Sequence, residues 1–165
     1  MRFLENHSRH GSNSHLRPMN QLKEKQMSSL RAEILIDAKP DRVWEVVSDA
    51  ATISEWYPLI SRSHLDSNGV RHIELSDGSR LEEKIVTSNE FLRRFQYRIQ
   101  GGDLPVEHHL GTIDVIPIED KTLVVYSSEI TPDNLALLVD SAVKDALVGL
   151  RDVTTRTETP AALGN

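Results

Sequence analysis

The sequence predicts an α+β fold in which an antiparallel sheet of seven strands is covered by a long C-terminal helix. Runs of alternating apolar and polar residues, typical of half-buried strands, recur along the chain and are joined by short turn-forming segments. Two short stretches near the start and one long stretch near the end instead have apolar residues at helical spacing. Because most strands follow one another without intervening helices, an antiparallel sheet is favoured over a parallel one.

The length of 165 residues suits one domain with short tails. Residues 1–27 are mostly polar and show no apolar periodicity, so we expect a tail that is disordered or extraneous, with Met27 as an alternative start. Residues 28–157 form the expected domain, and residues 158–165 a second tail. The histidines of the first tail, His7, His10 and His15, have no folded frame around them, which disfavours a metal site.

Composition excludes several classes of protein. The chain contains no cysteine, which rules out disulfides, thiolate nucleophiles and Cys-ligated metals. The formal charge is −6, and an acidic domain is a poor partner for duplex nucleic acid. No apolar run has the length of a membrane span. We therefore expect a cytoplasmic protein that binds no nucleic acid, does not insert stably into a membrane, and is a monomer or a homodimer.

The first elements are a strand and two short helices. Alternate positions are apolar from Leu30 to Ala38, which predicts the strand. The segment PDRVWEVV predicts a helix that begins at Pro40, since proline suits a first helical turn and Asp41 complements the helix dipole. A second short helix in ATISEWYPLI must end before Pro58.

The next three strands are joined by the loops SNG and SDG, which both end in glycine, as expected for three-residue hairpin loops. This loop length places Arg71 opposite Glu83 on the inner, mostly apolar face of the sheet. On the outer face it pairs the opposite charges of Arg62 and Glu74.

Three further strands and a long helix complete the chain. The segments FLRRFQYRIQ, HHLGTIDVIPI and TLVVYSSEI predict the strands. From Asn134 onward, apolar residues recur at helical spacing, and we expect this stripe to cover the sheet. The stripe consists of Leu135, Leu138, Val139, Ala142, Ala146, Leu150 and Val153.

The order of elements and a set of short motifs resemble the START-like or Bet v 1-like (SRPBCC) superfamily, specifically its polyketide cyclase/dehydrase-type branch. The motifs are Pro-Asp-x-Val-Trp, Trp-x-Pro, Gly-x-x-apolar-x-Glu and Tyr-x-Ile before Leu-Pro, which begin at Pro40, Trp56, Gly78 and Tyr97. The resemblance covers Leu30 to Val153. It implies a helix-grip fold, in which the curved sheet wraps around the last helix and leaves a cavity. Tyr126 stands where the branch often has tryptophan.

Arg71 and Glu83 are charged residues on an otherwise apolar face, so each needs a partner. They either pair with each other and fix the register of the sheet, or orient the polar group of a ligand. Tyr97 points to the same face from the neighbouring strand. It either joins this polar patch or fills the core.

Small polar residues and a histidine are further candidates for ligand binding. Ser61 and Ser63 are placed by the alternation on the inner face of the second strand, which suggests room or water behind them. His109 also points inward, as an acid/base group or as a hydrogen-bonded core residue. Its neighbour His108 points to the opposite face, so the two cannot share one metal ion.

The resemblance supplies the remaining candidates. It implies that Trp56 and Tyr57 lie near the mouth of the cavity and that Leu104 lies in the loop opposite. These residues form either a gate or ordinary packing. Leu138, from the apolar stripe of the long helix, completes the predicted ligand-binding set.

The sequence has no nucleophile elbow, phosphate-binding glycine loop or dinucleotide motif, so we expect no cofactor and no metal. The leading hypothesis is binding of an apolar or aromatic small molecule, lipid or polyketide-like, in the cavity. One alternative is an enzyme of cyclase or dehydratase type in which Glu83, Tyr97 or His109 moves protons. A third is an interaction or stress-response domain without a bound ligand.

Overall fold

The computed structural model describes residues 26–156. The predicted tails at 1–27 and 158–165, including His7, His10 and His15, lie almost entirely outside the described residues. The domain boundaries therefore stay a prediction.

Seven antiparallel strands form a sheet, in the spatial order β1-β7-β6-β5-β4-β3-β2. The strands are β1 (Ser28–Ile36), β2 (Ile60–Leu65), β3 (Val70–Leu75), β4 (Arg80–Asn89), β5 (Arg94–Gly102), β6 (His108–Ile118) and β7 (Lys121–Thr131). The helices are α1 (Pro40–Ser48) and α2 (Ala136–Thr155), with short 3-10 helices over Ala50–Glu55 and Asp133–Leu135. The predicted α+β class and helix-grip arrangement are confirmed.

The helical segments follow from local sequence. Pro40 occupies the first turn of α1, and Val43, Trp44 and Val47 form its buried stripe. The second short helix is a 3-10 helix, and the Asp49 side chain caps it by accepting a hydrogen bond from the Ala51 amide. It ends before Pro58, as the proline requires.

The register of β2, β3 and β4 agrees with the prediction from the hairpin loops. Arg71 lies directly opposite Glu83, and Arg62 lies directly opposite Glu74. Gly69 and Gly78, which end the two loops, have φ angles of 74° and 87°. This left-handed conformation favours glycine, so the loop sequence determines which side chains face inward.

The core lies between the concave face of the sheet and α2. Ala142, Val143, Ala146, Leu147 and Leu150 form the buried face of the helix. Gly149 allows this helix to approach closely, because a Cβ there would lie 2.0 Å from the carbonyl oxygen of Trp56. The helix is thus held against the segment that follows the first 3-10 helix.

Candidate functional site

A buried ion pair occupies the concave face where β3 meets β4. Arg71 is 1% exposed and Glu83 is 4% exposed. Nε and Nη2 of Arg71 both lie 2.7 Å from Oε2 of Glu83. Nη1 donates to the carbonyl oxygen of Ala50 at 3.4 Å, which ties the sheet to the first 3-10 helix. The two charges therefore pair with each other.

The second oxygen of the Glu83 carboxylate, Oε1, has a different environment. Both nitrogens of the Arg71 fork contact Oε2, and Oε1 accepts no hydrogen bond from the residues that the structure describes. Burial raises the pKa of Glu83, and the charge of Arg71 opposes this shift. The result is a buried carboxyl group with one oxygen still able to accept a hydrogen bond.

Aromatic rings surround the guanidinium group. The Cζ atom of Arg71 lies 4.9 Å from the ring centroid of Tyr97 and 5.7 Å from that of Phe95, within the range of cation–π interactions. The hydroxyl groups of Tyr97 and Tyr126 are hydrogen-bonded to each other. Burial raises the pKa of both tyrosines, so they remain neutral at physiological pH.

Gly111 makes room for Tyr97. The two residues are directly opposite on β5 and β6, and a Cβ at Gly111 would lie 2.5 Å from Cε1 of Tyr97. Gly111 is not among the site residues predicted from the sequence. An isolated glycine inside a strand often marks a close approach, and that signal could have identified it.

His109 is 5% exposed and points inward, as predicted. Its Nδ1 accepts a hydrogen bond from the Ile99 amide at 3.4 Å, and its Nε2 lies 3.3 Å from Oγ of Ser128. Because Nδ1 is the acceptor, we assign the proton of the neutral ring to Nε2, which then donates to Ser128. Burial, assisted by the nearby His108, lowers the pKa of His109 to about 4. The imidazole is therefore a neutral, hydrogen-bonded core residue.

This histidine lies where the sheet opens. Paired residues of β5 and β6 end at Tyr97 and Gly111, although β5 continues to Gly102 and β6 begins at His108. Within the unpaired stretch, the imidazole of His109 accepts the hydrogen bond of Ile99 that a β6 carbonyl would otherwise take. The opening between these two strands borders the cavity described next.

A cavity of about 70 Å³ lies between the sheet, the loop after β5 and the start of α2. Its wall is mostly apolar, and six of the ten predicted ligand-binding residues contribute to it. These six are Tyr57, Glu83, Tyr97, Leu104, His109 and Leu138. Leu138 is 48% exposed, so it borders both the cavity and solvent.

The predicted positions of Ser61 and Ser63 require correction, since neither lines the cavity. An irregularity between Ile60 and Arg62 shifts the register of β2, so Ser61 is exposed and donates to the carbonyl oxygen of Glu74. Ser63 keeps its inward direction, but the first 3-10 helix covers it, and its hydroxyl donates to the carbonyl oxygen of Ala51 at 2.6 Å. Both serine hydroxyl groups therefore serve as hydrogen-bond donors to the backbone.

Arg71 and Trp56 also lie outside the cavity wall. Arg71 is behind Glu83, so of the pair Glu83 alone borders the cavity. Trp56 is buried beside Tyr57, with ring centroids 5.9 Å apart, and its backbone carbonyl packs on Gly149. The expected place of Trp56 at the cavity mouth is therefore wrong, because α2 covers this segment.

Comparison with known proteins identifies the family. Residues 27–155 match a family described as polyketide cyclase/dehydrase and lipid transport. The chain belongs to this family. No curated protein matches its sequence.

Solved structures with the same fold include three from bacteria. The protein XoxI from Bacillus cereus is 26% identical, with a TM-score of 0.72 over 77% of this chain and 95% of that one. The Zhui aromatase/cyclase from a Streptomyces species is 17% identical, with a TM-score of 0.68 over 85% of this chain and 100% of that one. A START superfamily protein from Mycobacterium smegmatis is 13% identical, with a TM-score of 0.65 over 76% of this chain and 96% of that one. The last two similarities show the fold alone.

Residues 26–156 lack two other features. No helix in this range is long and apolar enough to cross a membrane. No group of three or more histidine, aspartate or glutamate side chains in it is placed to hold a metal ion.

Proposed function

We propose that the protein binds an apolar or aromatic small molecule, lipid or polyketide-like, between the sheet and α2. The observation that carries this proposal is a mostly apolar cavity with a few convergent polar groups, the usual composition of a small-molecule site. Affinity would come from removing apolar surface from water, at about 25 cal/mol per Å². The family description, which includes both cyclases and lipid transport, supports the same class of ligand.

The size of the cavity adds a requirement. Its volume of about 70 Å³ is less than half of the roughly 150 Å³ that admits a benzene molecule. A ring-containing ligand therefore needs part of the wall to move. Leu104 and Val106, in the loop after β5, and Leu138 of α2 border the cavity beside the unpaired stretch of β5 and β6. No pair of the described residues joins β5 to β6 beside this part of the wall, so we infer that it moves when a ligand enters.

An NMR titration with 2-methylnaphthalene tests the proposal. Ala142 lines the cavity, and Ala142→Met would fill it. We expect shifts of cavity resonances to saturate in the wild type and to disappear in this variant. Leu137→Ala, at an 85% exposed position of the same helix, is the control and should bind as the wild type does. Equal binding by the filled variant and the wild type would contradict a ligand site in this cavity.

Native mass spectrometry of the purified protein provides an independent readout. A copurified apolar compound, released on denaturation and reduced in Ala142→Met, would support the proposal and identify the ligand.

The expected location is the cytoplasm, and the expected state is a monomer or homodimer without nucleic acid. The absence of cysteine and the formal charge of −6 support the first and last of these expectations.

A second candidate function is proton transfer of the cyclase or dehydratase type, and Glu83 favours it. Its Oε1 has no donor among the described residues, and burial raises its pKa, as is common for general bases. Neutral Tyr97 and His109 already use their hydrogen-bonding groups. Exchange of the α-protons of 2-tetralone in D₂O, followed by NMR, should then be accelerated by the wild type. Glu83→Gln should abolish the acceleration and Asp114→Asn should not.

A further inference from the structure

The cavity wall carries an acidic side chain and no lysine or arginine among the described residues. Among the described residues that line it, Glu83 is the one charged side chain. Its partner Arg71 does not line the cavity: Nε donates to Oε2, Nη1 donates to the carbonyl of Ala50, and Nη2 is buried 2.7 Å from Oε2 without a hydrogen bond of its own to the described residues. A ligand therefore meets a hydrogen-bond acceptor on this wall, and it meets no lysine or arginine.

The other polar groups on the wall are largely occupied. The hydroxyl groups of Tyr97 and Tyr57 are both hydrogen-bonded to Tyr126, and the Nε2–H group of His109 is directed to Ser128. No cation is left to balance an anionic ligand, and burying an unpaired carboxylate costs far more than burying a neutral group. The wall therefore opposes a ligand that carries a carboxylate.

A cationic ligand is not favoured either. The charge of Glu83 is already balanced by Arg71 at 2.7 Å, so an ammonium group would add net charge to a buried site. A neutral donor adds none. Oε1 of Glu83 can accept a hydrogen bond from such a donor while Oε2 keeps its contact with Arg71.

We propose that the ligand of this cavity carries a neutral hydroxyl group, alcoholic or phenolic, that donates a hydrogen bond to Oε1 of Glu83, and that carboxylates such as fatty-acid anions are rejected. This inference rests on the proposed function and names the class of its ligand. The apolar wall determines affinity, and Glu83 selects the polar end.

Three probes with the same ring system test this selection: 2-naphthol, 2-methylnaphthalene and 2-naphthoate. Their dissociation constants are measured at pH 7 by NMR titration. We expect 2-naphthol to bind about tenfold or more tightly than 2-methylnaphthalene, since a hydrogen bond to a charged group adds that much. We expect 2-naphthoate to bind most weakly of the three.

A double variant removes the acceptor without leaving a buried charge. Arg71→Met/Glu83→Leu replaces the ion pair with apolar groups, a change that buried pairs often tolerate. It should lose the preference for 2-naphthol and keep binding 2-methylnaphthalene. The matched control is Arg94→Met/Asp114→Leu, which removes a cross-strand pair from the outer face and should keep the preference.

The outcomes separate this inference from the proposed function. If 2-methylnaphthalene binds as tightly as 2-naphthol, or 2-naphthoate binds most tightly, selection by Glu83 is overturned and the cavity remains a ligand site. If no probe binds, the proposed function fails as well. The carboxyl ¹³C resonance of Glu83 in the wild type gives a readout that does not depend on a variant folding. A shift with 2-naphthol and none with 2-methylnaphthalene supports the inference, and equal shifts overturn it.

Discussion

Arg71–Glu83 and Arg94–Asp114 are ion pairs that cross the sheet, the first on its inner face and the second on its outer face. Arg71 lies directly opposite Glu83, and Arg94 lies directly opposite Asp114. The closest nitrogen–oxygen distances are 2.7 Å and 2.6 Å. The side chains of the inner pair are 1% and 5% exposed, whereas those of the outer pair are 44% and 22% exposed. The closest distances are similar, but Arg94 contacts both oxygens of Asp114, whereas Arg71 contacts only Oε2 of Glu83, and the surroundings of the two pairs differ.

This difference teaches that a short contact distance alone does not give the energetic value of an ion pair. The outer pair remains partly hydrated, so its formation and its loss both change stability little. The inner pair has lost its hydration, so removing one partner leaves a charge with neither water nor counterion. Replacing both inner partners together avoids that penalty. The inner pair is therefore better explained by register and ligand selection than by stability.

The largest expected effect tests the inner face directly. Glu83→Leu leaves Arg71 buried without its carboxylate, and we expect the free energy of unfolding to fall by about 3–5 kcal/mol. Arg71→Met/Glu83→Leu should recover most of this loss. Urea denaturation of the wild type and both variants measures the difference. A double variant as unstable as Glu83→Leu would show that packing, rather than the unpaired charge, causes the loss.

His109 of β6 provides a second test of the inner face, through the dependence of stability on pH. The pKa of His109, on the inner face, is lowered to about 4 from 6.5, so between these values the unfolded chain binds a proton that the folded protein does not. Unfolding free energy should therefore fall as the pH decreases through this window, by about 3 kcal/mol for this group.

Urea denaturation at several pH values between 4 and 7 measures this dependence. The contribution of His109 is the difference between the wild type and His109→Gln, which removes the titrating group. Leu137→Ala is the control, because it changes an 85% exposed position that carries no titrating group, and its pH profile should run parallel to that of the wild type. Parallel pH profiles for the wild type and His109→Gln would mean that His109 titrates normally.

Substitution of two glycines, one on each face, should give a smaller difference in stability. Gly111→Ala would place a methyl group 2.5 Å from the ring of Tyr97 on the inner face, and we expect a loss of about 1–3 kcal/mol. On the outer side, a Cβ at Gly101 would meet Oε2 of Glu82 at an ordinary 3.4 Å, so Gly101→Ala should be close to neutral. Thermal unfolding of both variants provides the measurement. Equal losses would show that strand geometry, not the contact with Tyr97, determines the cost.

Much of the fold could be predicted from the sequence, because alternation and loop length act locally. The two glycine-ended loops determine the register of β2 to β4, and that register places Arg71 opposite Glu83. The inward direction of His109 followed from the same alternation. These features depend on residues that are close in sequence or on the pairing of neighbouring strands.

The rest of the site depends on contacts between distant segments. Ser61 was misplaced because alternation does not reveal a bulge, and Ser63 because nothing local shows that the 3-10 helix covers it. The end of pairing between β5 and β6 likewise has no periodic signal. Which oxygen of Glu83 stays without a donor is set by the orientation of Arg71, and a sequence carries no direct record of that orientation.

The smallest expected effect belongs to the outer face. Arg94→Gln removes the contact with Asp114, but both groups keep water, so we expect a loss of less than about 1 kcal/mol. Salt distinguishes this pair from the inner one: raising ionic strength should shrink the effect of Arg94→Gln, since exposed charges are screened, and should leave that of Glu83→Leu nearly unchanged. Urea denaturation at low and high sodium chloride concentration measures both. If the two effects depended on salt to the same extent, solvent would reach the inner pair, and the contrast between the faces would not hold.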